Sequence, residues 1–212
     1  MKNIVIIGAG ELGKEVVWLI EDINKREPQY LILGYLDDLN EKGSMIGGYR
    51  VLGGTDDLEM LYEKNGFSVV IAVQEGNSRK KLADKYPDFT EWETLIHPTA
   101  VIAPGVELGE GSIVFPQLTI SINSKIGKHG LFYIHSTVCN DCLFGDYVSV
   151  MTGVTVSEHV TIGDETYLAA GCNVYPHVVI GKQSRAAVGV TVSENFGDGV
   201  EIGKKDRGLF FK

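Results

Sequence analysis

The sequence predicts two joined architectures: an α/β unit with a small, Rossmann-like parallel sheet over residues 1–92, and a triangular parallel β-helix over residues 93–212. Three observations predict it. Stepping six residues at a time from Ile96 to Val192 meets a large apolar side chain at every stop except Ala186, with no slip of phase. Gly109, Gly127, Gly145, Gly163 and Gly181 each follow one of those stops and lie 18 residues apart. The chain also opens with an apolar run that leads straight into Gly8-Ala9-Gly10-Glu11-Leu12-Gly13 and then into a helical pattern. A helix does not repeat at six and an amphipathic strand repeats at two. A coil of three six-residue sides satisfies both longer periods, whereas the uneven loops of a β-sandwich would break the phase.

Residues 2–8 (KNIVIIG) read as a strand buried on both faces. The G-x-G-x-x-G turn after it lets a backbone approach a phosphate, with a helix N-terminus supplying N–H groups and partial positive charge; a ligand-free βα turn uses the same spacing. Gly8, Gly10, Glu11, Leu12 and Gly13 are therefore candidate substrate-binding positions. Apolar spacing through Val16, Val17, Leu19, Ile20 and Ile23 predicts a helix over 14–25. Residues 30–36 (YLILGYL) form a second strand ending at Asp37-Asp38, where an acid either holds a ribose hydroxyl or caps a turn.

A polar loop over 40–54 surrounds a short extended piece at 49–52. Thr55 reads as the N-cap of a helix over 56–64, residues 68–73 (SVVIAV) as a third parallel strand, and 77–86 as a second capped helix. Lys80, Lys81 and Lys85 form a solvated face, while Arg79 is a candidate anion ligand. A sheet of this size is a mononucleotide-binding half. It is too short for the dinucleotide domain of a nicotinamide-dependent oxidoreductase, a class supported by the glycine turn alone.

Residues 88–95 bridge to the repeats. There the step residues point inward, successive coils lie about 4.8 Å apart so that residues 18 apart stack in columns, and residues 96–192 leave room for five to six coils. The 18-spaced glycines mark a corner where positive φ is expected. Cys139, Cys142 and Cys172 form neither a metal set nor a redox motif and read as inert corner packing. The phase fades after Val192, and the apolar end LFFK reads as a cap or a subunit contact. The net charge of −9 argues against a nucleic-acid groove built on bulk charge. No apolar run reaches the ~20 residues of a membrane span, which makes the cytoplasm the expected location.

The order of these parts resembles the sugar O-acyltransferase family of the sialic-acid O-acetyltransferase type, which includes bacterial N-acetyltransferases of nucleotide-linked 4-amino sugars. The resemblance spans nearly the whole chain. It rests on the glycine turn, Gly34-Tyr35-Leu36-Asp37-Asp38, Val51-Leu52-Gly53-Gly54, Ile71-Ala72-Val73 with Arg79, Ile96-His97-Pro98 and the hexapeptide coils. It implies a left-handed β-helix, a homotrimer, acetyl-CoA bound between neighbouring β-helices, and a nucleotide-sugar near the N-terminal domain, with no metal. It also implies surface-polysaccharide or glycan synthesis as the setting, with Glu158, Gly171, Lys204 and Lys205 toward CoA.

Departures from that pattern bear on mechanism. The family uses a His followed by an acid as general base; here those positions are Asn140 and Asp141, and a second family His aligns with Ser149. Asparagine takes no proton at neutral pH. Asp141, His159 and His177 are 18 apart and share a column. A carboxylate beside an imidazole raises its basicity and fixes its orientation, so His159 becomes a candidate base, with His135 a second. A third route needs no base: the amine arrives neutral, and the protein supplies position and an N–H near Glu158 for the thioester oxygen. The expected function is acyl-CoA-dependent N- or O-acylation of a sugar. The rival expectation is a catalytically silent trimeric homologue that binds a nucleotide-sugar or supports a partner enzyme.

Overall fold

A computed structural model describes residues 1–86 and 91–203. The first unit is a six-stranded sheet in the order β3-β4-β2-β1-β5-β6. Its strands are β1 (Lys2–Ile7), β2 (Tyr30–Leu36), β3 (Met45–Ile46), β4 (Tyr49–Gly53), β5 (Ser68–Ile71) and β6 (Glu91–Trp92). All pairs are parallel except the β3–β4 hairpin. Helix α1 (Glu11–Arg26) buries Val16, Val17, Leu19, Ile20 and Ile23 against one face, and α2 (Leu58–Asn65) and α3 (Gly76–Lys85) are the other helices.

Two expected caps differ. Thr55 opens a 3-10 turn behind Gly54 instead of capping α2, because its N–H and hydroxyl both donate to the Asp38 carboxylate, at 2.6 and 3.0 Å. Helix α3 starts at Gly76 behind Glu75 without a side-chain cap. A Cβ on Gly76 would collide with the Tyr147 carbonyl, so glycine is what lets α3 lie against the repeats.

From Leu95 onward the chain winds as a parallel β-helix of two-residue strands. A first face runs from Leu95–Ile96 to Glu201–Ile202, a second from Val101–Ile102 to Thr191–Val192, and a third from Glu107–Leu108 to Val179–Ile180. Pairing joins residues 18 apart, such as Ile113 with Leu131 and Thr119 with Thr137, until the last coil, where Arg185 pairs with Glu201. The step residues from Val114 to Val192 are buried in one continuous core. Ile96 is 39% exposed because it lies at the end of the stack. Cys142 and Cys172 are buried in that core, and burial pushes both thiols up to about 11.

The corners overturn one expectation. Gly109, Gly127, Gly145, Gly163 and Gly181 are absent from the residues with positive φ. That conformation falls instead on every sixth residue from 105 to 189, ten of which are not glycine, with φ between +52° at His129 and +63° at His177. The 18-spaced glycines have another cause: a Cβ on Gly127 would lie 2.6 Å from the Gly145 carbonyl carbon, and one on Gly163 would lie 2.5 Å from the Lys182 nitrogen. With the coils this close, the residue after each glycine can bond to the next coil. The carboxylates of Asp146, Asp164 and Asp198 accept the N–H groups of Lys128, Asp146 and Lys182 at 2.7, 3.0 and 2.8 Å.

The two units share a core. The outward side chains of the first face, Leu95, Ile113 and Leu131, are at most 1% exposed because the sheet unit covers them. Trp18 of α1 stacks on Phe115, which stacks on Tyr133. His97 lies between Asp22 at 3.3 Å and Thr99 at 2.9 Å and so pins α1 to the first coil. One coil further, the outward residue is Ser149, and Arg79 of α3 reaches it.

The Arg79 guanidinium is 1% exposed. It donates to the carbonyls of His129 (3.0 Å), Val73 (2.9 Å), Gln74 (2.7 Å), Tyr147 (2.8 Å) and Val148 (3.2 Å) and to Ser149 Oγ (3.0 Å). Burial pulls its pKa down to about 10, so it remains charged at neutral pH. His129 is 2% exposed beside it, between Trp92 and Tyr147 at ring separations of 5.0 and 5.1 Å. Its Nδ1 has no hydrogen-bond partner. Burial first, and then the charge of Arg79, lower its pKa to about 4.

This packing is tested by substitution and by pH. Gly163→Ala costs about 1–3 kcal/mol of unfolding free energy through overpacking. Gln117→Gly, at an exposed left-handed corner, stays within about 1 kcal/mol of the native protein, because relief of backbone strain offsets glycine's larger unfolded entropy. Urea titration of both variants checks the contrast. His129 binds its proton more tightly unfolded, near 6.5, than folded, so stability falls as the pH drops from about 6.5 to 4, by up to about 3 kcal/mol. Chemical denaturation across that range reads the slope, and His129→Asn removes this part of it.

Candidate functional site

The glycine turn joins β1 to α1 at the carboxyl edge of the sheet, where open α/β sheets bind ligands. Its glycines have separate reasons. Gly8 has φ +101° and no room for a Cβ, which would lie 2.7 Å from the Ala72 carbonyl oxygen. Gly13 packs against the Gly8 carbonyl, and nothing lies within 4 Å of where a Gly10 Cβ would be. Gly10 is therefore the open position of the turn. Glu11 is exposed and paired with Lys14 at 2.7 Å. Leu12 is 8% exposed, and its side chain packs in the core beneath the sheet.

Asp37 and Asp38 both cap turns. Asp37 accepts the N–H groups of Ala9 (2.8 Å), Leu39 (2.9 Å) and Asn40 (3.0 Å) and the Asn40 amide (2.8 Å). Burial would raise its pKa, but these donors hold it below the usual carboxylate value. It therefore staples the glycine turn to the end of β2. Asp38 is held by Thr55. Arg79, expected to reach an anion, has all its donors committed to carbonyls and Ser149 and is a joint between the units.

Among the repeats, the candidate residues divide between two corners. Asn140, Asp141, His159 and His177 lie where the second face meets the third. Asp141 Oδ1 accepts the Asn123 amide at 3.1 Å, and Oδ2 accepts the Asn140 amide at 2.6 Å. The amides, Asn140 first, lower the Asp141 pKa, with a smaller contribution from the charge of His159. The His159 ring stacks on His177 at 4.9 Å and 8°. The expected column is present, but asparagines take the carboxylate and the two imidazoles take each other.

His135 lies at the other corner, between the first and second faces, above Gly153, Gly171 and Gly189, all with positive φ. A Cβ on Gly153 or Gly189 would meet nothing within 4 Å, and one on Gly171 only Gly189 Cα at 3.9 Å. These glycines leave an open backbone track across three coils. Glu158 is half-buried, and its carbonyl accepts the His177 N–H at 3.0 Å. Lys204, Lys205 and the terminal LFFK lie outside the described residues.

A row of cross-unit contacts at the carboxyl edge was not anticipated. Glu15 of α1 accepts the Tyr133 hydroxyl, Gln74 donates to the Tyr167 hydroxyl at 2.7 Å, and Arg185 pairs with Glu75 at 2.6 Å. The signal was present in the outward first-face positions 95, 113, 131, 149, 167 and 185, which read Leu, Ile, Leu, Ser, Tyr, Arg. A cleft of about 420 Å³, lined by Ile23, Arg26, Tyr30, Thr94, Ile96 and Pro98, lies at the opposite, amino edge of the sheet, away from these groups. Among the described residues no cluster of three His, Cys, Asp or Glu could hold a metal ion, and no helix is long and apolar enough to cross a membrane.

Comparison with known proteins adds relatives. Residues 3–86 match the family described as the PglD N-terminal domain. GDP-perosamine N-acetyltransferase of Escherichia coli O157:H7 is 30% identical over 124 residues, which are 57% of this chain and 54% of that protein. The chain thus spans about half the length of the curated relative it matches. A histidine-to-asparagine mutant of perosamine N-acetyltransferase from Caulobacter crescentus, solved with CoA and GDP-perosamine, superposes with a TM-score of 0.87 at 28% identity, covering 96% of this chain and 94% of that one. The acetyltransferase domain of PglB from Neisseria gonorrhoeae FA1090, in complex with acetyl coenzyme A, gives a TM-score of 0.85 at 25% identity, over 95% and 96%. With likeness over almost the whole chain, the β-helix is the left-handed hexapeptide-repeat fold.

Proposed function

We propose that this chain, a hexapeptide-repeat protein related to the perosamine and PglB-type N-acetyltransferases, transfers an acetyl group from acetyl-CoA to the amine of a nucleotide-linked amino sugar during glycan synthesis. The observation that carries this reading is the rigid fusion of a glycine-turn sheet with a left-handed β-helix. Relatives superposing on both halves were solved with CoA and GDP-perosamine, or with acetyl coenzyme A. In this reading residues 1–92 hold the nucleotide-sugar through the backbone of Gly8, Gly10, Glu11 and Gly13. Residues 93–212 hold the cofactor, with its pantetheine arm along the Gly171 track. The Asp141 column and the glycine turn lie at different corners of one chain, which favours a homotrimer that completes each site from a neighbour. We place the protein in the cytoplasm, with its acetyl donor.

The amine nitrogen attacks the thioester carbonyl, a tetrahedral intermediate forms, and the CoA thiolate leaves and takes up a proton. The ammonium proton must depart before attack. Asn140, which we infer stands where the family has its basic histidine, cannot take it. Tethered to Asp141 by its amide N–H, Asn140 can still accept a hydrogen bond from the amine through its carbonyl oxygen. The ammonium proton goes to His159, or is lost to solvent before the amine binds, and the second proton, which the nitrogen sheds after attack, is the one the thiolate takes up. The Caulobacter relative holds both ligands with a histidine replaced by asparagine, so binding in that protein does not require that imidazole. A catalytically silent homologue is the second reading, favoured by Asn140.

Calorimetric titration with acetyl-CoA, followed by a free-thiol assay over a panel of nucleotide-linked amino sugars, separates the two. Micromolar binding with thiol release is the expected result; absence of acetyl-CoA binding favours the silent homologue. Asn140→His should raise kcat at neutral pH by about 100-fold or more and introduce a pH dependence near 6.5. His159→Ala should lower the native rate with acetyl-CoA affinity retained, and unchanged turnover would remove His159 from the mechanism.

A further inference from the structure

A nucleotide-linked substrate brings a diphosphate to the carboxyl edge of the sheet, and the protein carries a net charge of −9. Its overall field therefore opposes such a ligand, and a local cation has to offset that opposition. Arg79 has no donor left. Lys14 at the turn is held by Glu11. Arg185 is likewise paired to an exposed carboxylate, but it carries a planar two-pronged fork where Lys14 has a point charge, and its setting is unusual for a surface cation. Its guanidinium carbon sits over the Tyr167 ring, 4.3 Å from the centroid, and the Tyr167 hydroxyl is fixed by Gln74 at 2.7 Å.

The fork of Arg185 faces Glu75 through two bonds, of 2.6 and 3.3 Å. Both partners are open to solvent, with side-chain exposures of 41% and 52%. Glu75 lies three residues beyond Ala72, whose carbonyl abuts Gly8, so the pair stands on the edge that carries the glycine turn. A planar guanidinium binds a phosphate with the same two-pronged geometry it uses for a carboxylate. An exposed pair of this kind contributes little net stability, which makes the carboxylate readily displaced.

We propose that Arg185 is the diphosphate-recognising residue of the acceptor site, held ready on Tyr167 and occupied by Glu75 until a nucleoside diphosphate displaces that carboxylate. The proposal rests on the acetyltransferase reading and adds a specificity element to it. No bond forms or breaks; one anion replaces another on the same fork, and Glu75 returns to water.

The test is calorimetric titration of the full-length native protein and its Arg185→Gln, Arg185→Lys and Glu75→Gln variants with GDP, with UDP and with acetyl-CoA. Arg185→Gln should weaken the nucleoside diphosphate that binds the native protein by about 10-fold or more, and Arg185→Lys should recover only part of that loss. Glu75→Gln should tighten the same ligand several-fold, because the competing carboxylate is gone. Acetyl-CoA affinity should be unchanged in all three. A pair that merely clips the two units together gives no gain in Glu75→Gln, and that result overturns the proposal. Selective loss of acetyl-CoA affinity in Arg185→Gln also overturns it, since the fork would then serve the CoA diphosphate. A native protein that binds none of the three ligands instead sinks the acetyltransferase reading itself. Glu75→Gln leaves Arg185 in place and keeps the test decisive should Arg185→Gln fold poorly.

Discussion

A charged guanidinium buried between two units is the constraint on which the rest of this structure depends. Burying a charge costs several kcal/mol unless its donors are met. Arg79 meets them with backbone carbonyls from both units: Val73 and Gln74 on the sheet side, and His129, Tyr147 and Val148 on the repeats. These carbonyls sit in turns and connecting residues of both units, and five of them fixed from two sides cannot all follow a moving arginine. The bonds form together only in one relative placement, and that placement sets where the glycine turn stands above the coils. The apolar contacts of Leu95, Ile113 and Leu131 supply affinity between the units, while Arg79 supplies the register.

The β-helix contributes a second kind of precision. A left-handed corner every six residues presents ten non-glycine side chains at positive φ, and many face water in columns whose successive members lie about 4.8 Å apart. This spacing lets Asn123 reach Asp141 and His159 stack on His177. The same columns leave bare backbone wherever glycine takes the corner, as at Gly153, Gly171 and Gly189. One geometric rule therefore produces both the polar column proposed for proton handling and the open track proposed for the cofactor.

The sequence shows the repeat, its phase and the strand–turn–helix at the start, because each is a local pattern of apolar and glycine residues. It also places Asp141, His159 and His177 in one column, since stacking follows from counting. The role of the 18-spaced glycines is not legible from spacing: a corner glycine relieves either backbone strain or a collision with the next coil, and only coordinates distinguish them. Arg79 misleads for a similar reason. An arginine at the start of a helix looks like an anion ligand until the carbonyls of His129, Tyr147 and Val148, distant in sequence, are in place beside it. Asp37 and Asp38 read from sequence equally as ligands or as turn residues, and the turn contacts to Ala9, Asn40 and Thr55 become visible only once those donors are in place. The docking of the two units could have been read from the outward column running from Leu95 to Arg185, in which apolar residues give way to polar ones.

The most direct test of this account is the unfolding of Arg79→Met, followed by calorimetry and by amide hydrogen exchange. Loss of the buried cation should cost about 3–5 kcal/mol and split unfolding into two steps. Protection should fall first in α3 and the sheet, while the β-helix core stays closed. A single transition at native stability, with only nucleoside diphosphate affinity lost, would contradict it, because Arg79 would then be a ligand for the substrate anion and not the joint between the units.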